Sequence, residues 1–269
     1  MIFVAPFFLF MGAVFLLPLA FIFYTSVVAD AFTLDYYIKA FTGALYLRVA
    51  WTTFEISVVS ALTTLVLSYP VAYHLSRQPP KRRVLWALFV LLPFYTSILV
   101  KSFAFTVILG HNGIVNDILR FMFGPEAGIK MLFNRTGVVI GLTHYLIPFM
   151  VFPILASLLA QDPVLHRAAE VMGAKPWRIF WRVTFPLSLP GVIAGTLLCV
   201  ILSFGMFITP ALLGGRKDMM MANLVDFHIK ETLNWNMASA VAIVLLLLSS
   251  VFILLLAQVR GGQLFGERH

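Results

Sequence analysis

Residues 161–191 read QDPVLHRAAEVMGAKPWRIFWRVTFPLSLPG. This run holds six of the chain's charged residues between two long apolar stretches. Asp162 is a good helix N-cap, Pro163 suits the first helical position, and Gly173 is a good stop. Between them Leu165, Ala168, Ala169 and Met172 fall at i, i+3, i+4 and i+7, one stripe of a short helix, with Arg167 and Glu170 off it. A second helix is expected from Pro176. It places Trp177, Phe180, Trp181 and Thr184 on one face and Arg178 and Arg182 on another, the pattern of a helix lying at a lipid interface. Two readings follow: a connector resting on the membrane, or a stub helix that docks into a partner and passes its motion to the flanking spans.

The rest of the chain supplies the membrane. Of 269 residues 61% are hydrophobic and 11% charged, with a mean hydropathy of +0.97. That is too little charge to coat a soluble core of this size. Six spans are expected at about 3–28, 52–76, 84–110, 136–160, 186–213 and 237–259, each long enough for a core of about 30 Å. The first, free of Asp, Glu, Lys and Arg through Ala29, is too long for a signal h-region and is read as a retained span. Prolines inside the spans are tolerated where neighbouring helices satisfy the freed carbonyls.

The net charge of +8 does not point to nucleic acid, because the basic residues sit at span ends rather than in one basic domain. Arg77, Lys81, Arg82 and Arg83 follow span 2; Arg167, Lys175, Arg178 and Arg182 follow span 4; Arg260 and Arg268 lie in the tail. The positive-inside rule puts these loops and both termini in the cytoplasm. The expected fold is therefore all-α, one polytopic domain of six spans over residues 1–269, with a cytoplasmic loop at about 161–185.

The loop stretch from Ala168 to Gly191 resembles the EAA loop of ABC-importer permeases: Ala168, Ala169 and Gly173 match, Pro186 sits at the family's proline, and Pro190-Gly191 follows. The family's leading Glu is Arg167 here, with an acid instead at Glu170. A second stretch, TPALLGGRKDMMMANLVDFHIKETLNWNMASA at 209–240, is similar to spermidine/putrescine-type permeases at Gly214, Gly215, Lys217, Asn223 and Trp235, as is LLPFYTSILVKSF at 91–103. The resemblance implies a type I ABC-importer permease in a bacterial inner membrane. It implies a second homologous permease, two ATP-binding-cassette ATPase subunits and a periplasmic or extracellular solute-binding protein as partners, besides membrane lipid. It further implies that Leu165, Arg167, Ala168, Ala169, Glu170, Met172 and Gly173 form the coupling element. The solute expected first is a polyamine such as spermidine or putrescine, ahead of an opine or amino-acid-like compound.

No Gly-x4-Gly-Lys-Ser/Thr loop is present, so ATP and Mg are expected on a partner ATPase, and this chain is expected to carry no cofactor and no catalytic residue. Cys199 stands alone, which rules out an intrachain disulfide and a cysteine metal cluster, and no His-Glu-x-x-His zinc helix occurs. Of six histidines, His74 and His144 fall near or within spans; helix packing is the plainer reading and a bis-His haem the alternative.

Ionisable residues inside spans are functional suspects. Glu55 stands one turn into span 2. Lys101 stands seventeen residues beyond Val84, a rise of about 25 Å in a straight helix. Both fall in the outer third of the bilayer. They are expected either to pair or to snorkel separately to the outer interface. An unpaired Lys101 in the pathway would repel a polycation. Phe94, Tyr95, Phe204 and Phe207 are candidates to hold ammonium groups by cation–π contact, with plain packing as the alternative, and complete a candidate path with Lys101. An ion-coupled secondary transporter is the competing class; it needs intramembrane carboxylates, and Glu55 alone is available.

Overall fold

The computed structural model describes residues 5–29 and 31–265; the start of the first expected span, Asp30 and Arg268 lie outside them. Helices dominate: α1 (Ala5–Val27), α2 (Asp35–Thr42), α3 (Ala44–Arg77), α4 (Pro80–Tyr95), α5 (Ile98–Ile108), α6 (Ile114–Phe123), α7 (Arg135–Leu159), α8 (Pro163–Val171), α9 (Pro176–Ile179), a π-helical turn (Phe180–Thr184), α10 (Phe185–Phe204), α11 (Ile208–Leu213), α12 (Met221–Lys230) and α13 (Trp235–Phe265). Helices α1, α3, α7, α9 with α10, and α13 are long and apolar enough to cross a bilayer.

The core is α3, α7 and α10 packed side by side. Leu142, Leu146, Met150 and Ile154 of α7 are fully buried at its centre. Lipid gives helices no hydrophobic reason to associate, so close backbone approach must supply the attraction. Helix α3 turns Thr53, Ser57, Ser60, Thr64 and Ser68, all buried, at helical spacing along one face, and Ser68 Oγ donates to the Ile147 carbonyl of α7. On α10 a Cβ at Gly191 would stand 2.5 Å from the Pro153 carbonyl oxygen and 3.1 Å from Ile154 Cα. Only glycine admits that crossing. Helix α1 packs on α13, where the Asn236 side chain donates to the carbonyls of Thr25 and Val28 at 2.7 and 2.8 Å.

Two expected spans are broken. The third, expected to run straight from 84 to 110, is α4 and α5 bent by 88° at Thr96-Ser97. The broken end leaves carbonyls without helical donors. Lys101 Nζ donates to the Pro93 carbonyl at 2.5 Å and Thr96 Oγ1 donates to the same oxygen at 2.9 Å. An ammonium is well placed there, against the negative end of the α4 dipole. The straight-helix rise assigned to Lys101 therefore does not apply. The fifth span, expected over 186–213, stops at Phe204 and resumes as α11 at Ile208. Pro210 has no N–H for the Met206 carbonyl, and Asn223 Nδ2 donates to the Phe207 carbonyl at 3.0 Å.

At the cytoplasmic end of α3, Arg83 reaches back across the Pro79-Pro80 turn. Its guanidinium donates to the carbonyls of Leu75 and Gln78 at 3.2 and 2.9 Å. The cation thus serves the helix C-terminus as well as topology.

Candidate functional site

The loop at 161–185 closes both ends of its helix with its own bonds. The Val164 N–H donates to Asp162 Oδ1 at 2.8 Å, capping α8 at its start. At its end the Gly173 N–H donates to the Glu170 carbonyl at 2.9 Å and the Ala174 N–H to the Ala169 carbonyl at 3.0 Å. This is the paired bonding of a Schellman stop, and it needs the positive φ of +76° that Gly173 adopts. Helix α8 buries only Ala169. Leu165, Ala168 and Met172, the rest of the expected stripe, are exposed, with Val171 at 89% and Met172 at 80%. An apolar tip in water with both helix ends satisfied is a surface shaped for something outside the chain.

Behind this tip α8 is tied to the membrane helices. His166 Nε2 and Thr184 Oγ1 are hydrogen-bonded at 3.0 Å, and Gln161 Nε2 donates to the Thr184 carbonyl at 2.9 Å. Thr184 is buried and closes the π-helical turn at the base of α10. Phe180 of that turn packs edge-on against Tyr73 of α3, ring centroids 5.4 Å apart, and Trp177 and Trp181 flank it. Arg77 lies 5.0 Å above the Tyr73 ring and donates to its hydroxyl at 2.9 Å. A crevice of about 570 Å³ separates this end of α3 from α8 and is lined by Tyr73, Arg77, His166 and Glu170. Arg167, standing at the family's Glu position, and Glu170 are both exposed, and among the described residues neither has an ion-pair partner.

At the opposite end the expected pair of Glu55 with Lys101 is not formed. Glu55 pairs with Arg135 NH1, and Arg135 Nε lies 3.4 Å from Asp218 Oδ1. Arg135 is the first residue of α7, where Asn134 caps the helix by accepting from the Gly137 N–H at 3.0 Å. Asp218 is largely buried and also accepts from the Gly215 N–H at 3.3 Å. One guanidinium thus ties α3, α7 and the α11–α12 loop. Lys101 is turned the other way, onto the α4 terminus and 5.5 Å from the Tyr145 ring centroid.

The candidate path residues do not share one pocket. Phe94 packs on Phe149 and Tyr95, ring centroids 5.6 and 5.7 Å away. Phe204 is buried against Phe252 of α13. Phe207 lies under Lys230, whose ammonium is 5.6 Å from the ring and also pairs with Asp226 at 2.7 Å. His144 packs edge-on to Phe105 and His74 edge-on to Trp86; among the described residues no group of three or more histidine, cysteine and carboxylate side chains is set to hold a metal.

Among the described residues the chain is a bundle of straight and broken membrane-length helices, with a capped loop helix projecting from the charge-rich end, which defines a multi-pass membrane protein. Residues 1–260 match the family described as the binding-protein-dependent transport system inner membrane component, and the chain belongs to that family. It is 36% identical over 221 residues to the spermidine/putrescine transport system permease protein PotB of Haemophilus influenzae, covering 82% of this chain and 77% of that one. The Escherichia coli PotB is 31% identical over 229 residues, covering 85% and 83%. In fold it is similar to a chain of a bacterial alginate ABC transporter solved in complex with an alginate pentasaccharide-bound periplasmic protein, with a TM-score of 0.74 at 18% identity over 94% of this chain and 89% of that one. The chain is thus a multi-pass inner-membrane permease subunit of an ABC importer.

Proposed function

We propose that this permease carries a polyamine, and that α8 is the element through which a separate ATPase drives it. The observation that carries the coupling reading is the exposed apolar tip of α8, ended by the Gly173 stop. The solute reading is supported by the two PotB relatives. The working assembly is this chain, a second related permease, two ATPase subunits that hold ATP and Mg, and an external solute-binding protein. ATP-driven closure of the ATPases draws the coupling helices together, the spans rock, and the path opens outward. Such a shift requires that the ATP-bound engine bind one conformation more tightly than the other. An ion-coupled mechanism gains no support from Glu55, which is held by Arg135.

The test is direct. A Val171→Cys chain with Cys199→Ser should cross-link to the ATPase that co-purifies with it, and proteoliposomes of the complex with its binding protein should take up spermidine or putrescine. A cysteine at Val171 that labels only with lipid-soluble reagents would overturn the docking reading. Uptake confined to an amino-acid or opine solute would replace the polyamine.

A further inference from the structure

Gln161, His166 and Thr184 have no place in the family resemblance, and their geometry is specific. Pro186 stands four residues beyond Arg182 and cannot donate to its carbonyl. The chain widens there, and the Phe185 N–H bonds back five residues to the Phe180 carbonyl. A single π turn of this kind is a register defect that a helix can absorb or release, and such turns gather at working positions. Thr184 ends the turn, is buried, and is gripped from two sides by the segment that carries α8: Gln161 on its carbonyl, His166 on its hydroxyl. Gln161 precedes α8 and His166 lies on it, so the two bonds resist both sliding and tilting of α8 relative to α10.

We propose that Gln161 and His166 clamp Thr184, so that displacement of α8 is delivered to α10 through hydrogen bonds at the π turn. This rests on the docking role of α8. The three are positioning residues: they touch neither ATP nor solute. Ring packing through Phe180 and Trp181 holds the same region by shape, and the two hydrogen bonds add a fixed distance and direction at a buried partner.

The experiment uses the whole transporter with its ATPase in proteoliposomes. Spin labels at Val164→Cys on α8 and Leu189→Cys on α10, in a Cys199→Ser background, report the distance between the two helices with and without ATP. An intact clamp gives one narrow distance that nucleotide does not change. Thr184→Val, which removes the hydroxyl and keeps the shape, should make that distance broad and nucleotide-dependent. It should also raise ATP hydrolysed per spermidine taken up by about ten-fold, with the ATPase still bound. Thr184→Ser should restore both. His166→Ala, which breaks the same hydroxyl bond, should act in the same direction and add little to Thr184→Val, whereas Gln161→Ala breaks the separate bond to the carbonyl and should add to it. A Thr184→Val, Gln161→Ala chain, which lacks both bonds, that keeps the narrow distance and the wild-type ratio overturns the clamp while leaving docking intact. A wild-type chain that holds no ATPase overturns docking and the clamp together.

Discussion

The two ends of the bundle solve opposite problems. At the outer end, α7 meets the loop after α11 with nothing left over. Asn134 caps the helix, Arg135 bonds two carboxylates, and Gly137 lets backbone lie on backbone. At the cytoplasmic end α8 satisfies its own backbone and then presents Leu165, Val171 and Met172 to water. The same devices, a cap and a glycine, appear at both. In one case they close the surface against itself; in the other they hold a surface open. The difference teaches that a glycine must be judged by what surrounds it. A Cβ at Gly137 would stand 2.5 Å from the Met131 carbonyl oxygen, whereas one at Gly173 would meet nothing within 4 Å.

That contrast gives the largest expected effects. Gly137→Val should cost roughly 3 kcal/mol or more, since two backbone carbonyls must move to admit it. Thermal unfolding in detergent checks it, and a variant as stable as the parent would break the account of the outer joint. Gly173→Val should cost less stability, about 1–2 kcal/mol for a left-handed backbone bearing a β-branched side chain. Its effect on function should be the greater of the two: uptake should fall while the chain still inserts, because the Schellman stop sets the direction in which α8 points. Unchanged uptake would count heavily against coupling through α8.

The outer ion cluster comes next. Replacing Arg135 with Met leaves Glu55 and the buried Asp218 without their cation. The expected loss is about 1–2 kcal/mol, discounted because Arg135 and Glu55 are 41% and 37% exposed. Glu55→Gln should cost less, since Arg135 keeps Asp218. A larger loss for Glu55→Gln than for Arg135→Met would show that the cluster is held from the wrong side.

Much of this was legible in the residues. The capped stub, the glycine stop, the spans and the charge-defined cytoplasmic side all followed from local rules that act within a few positions. What was not legible depended on which helices meet. Glu55 needs a cation, and Lys101 is the one that also falls inside an expected span. Arg135, one residue ahead of its expected span, was the better partner because it starts a helix that packs along α3. The signal was available: both residues lie near the outer starts of spans that run the same way. The breaks at Thr96-Ser97 and Gly205–Phe207 were hidden because hydropathy continues straight across them. Prolines marked both places, but so did Pro70, Pro148 and Pro153, which leave their helices unbroken. The clamp on Thr184 was hidden because a hydroxyl beside arginines and tryptophans looks like any interfacial threonine.

The smallest expected effect tests whether the outer end is as self-satisfied as described. His228 of α12 is buried, with Nε2 3.2 Å from the Tyr46 hydroxyl and Nδ1 3.0 Å from Thr232 Oγ1. Burial holds its pKa below the ordinary histidine value, and the charge of Lys39 adds to this. The folded chain therefore keeps His228 neutral where the unfolded chain would take up a proton, near pH 6.5. Its contribution to stability is fully present above that pH and is lost as pH falls below it. Thermal midpoints measured from pH 8 to pH 5 should fall by more in the parent than in His228→Gln. Parallel curves would mean that His228 is solvated and that the seam between α3 and α12 is wet, which would make the outer end the looser of the two.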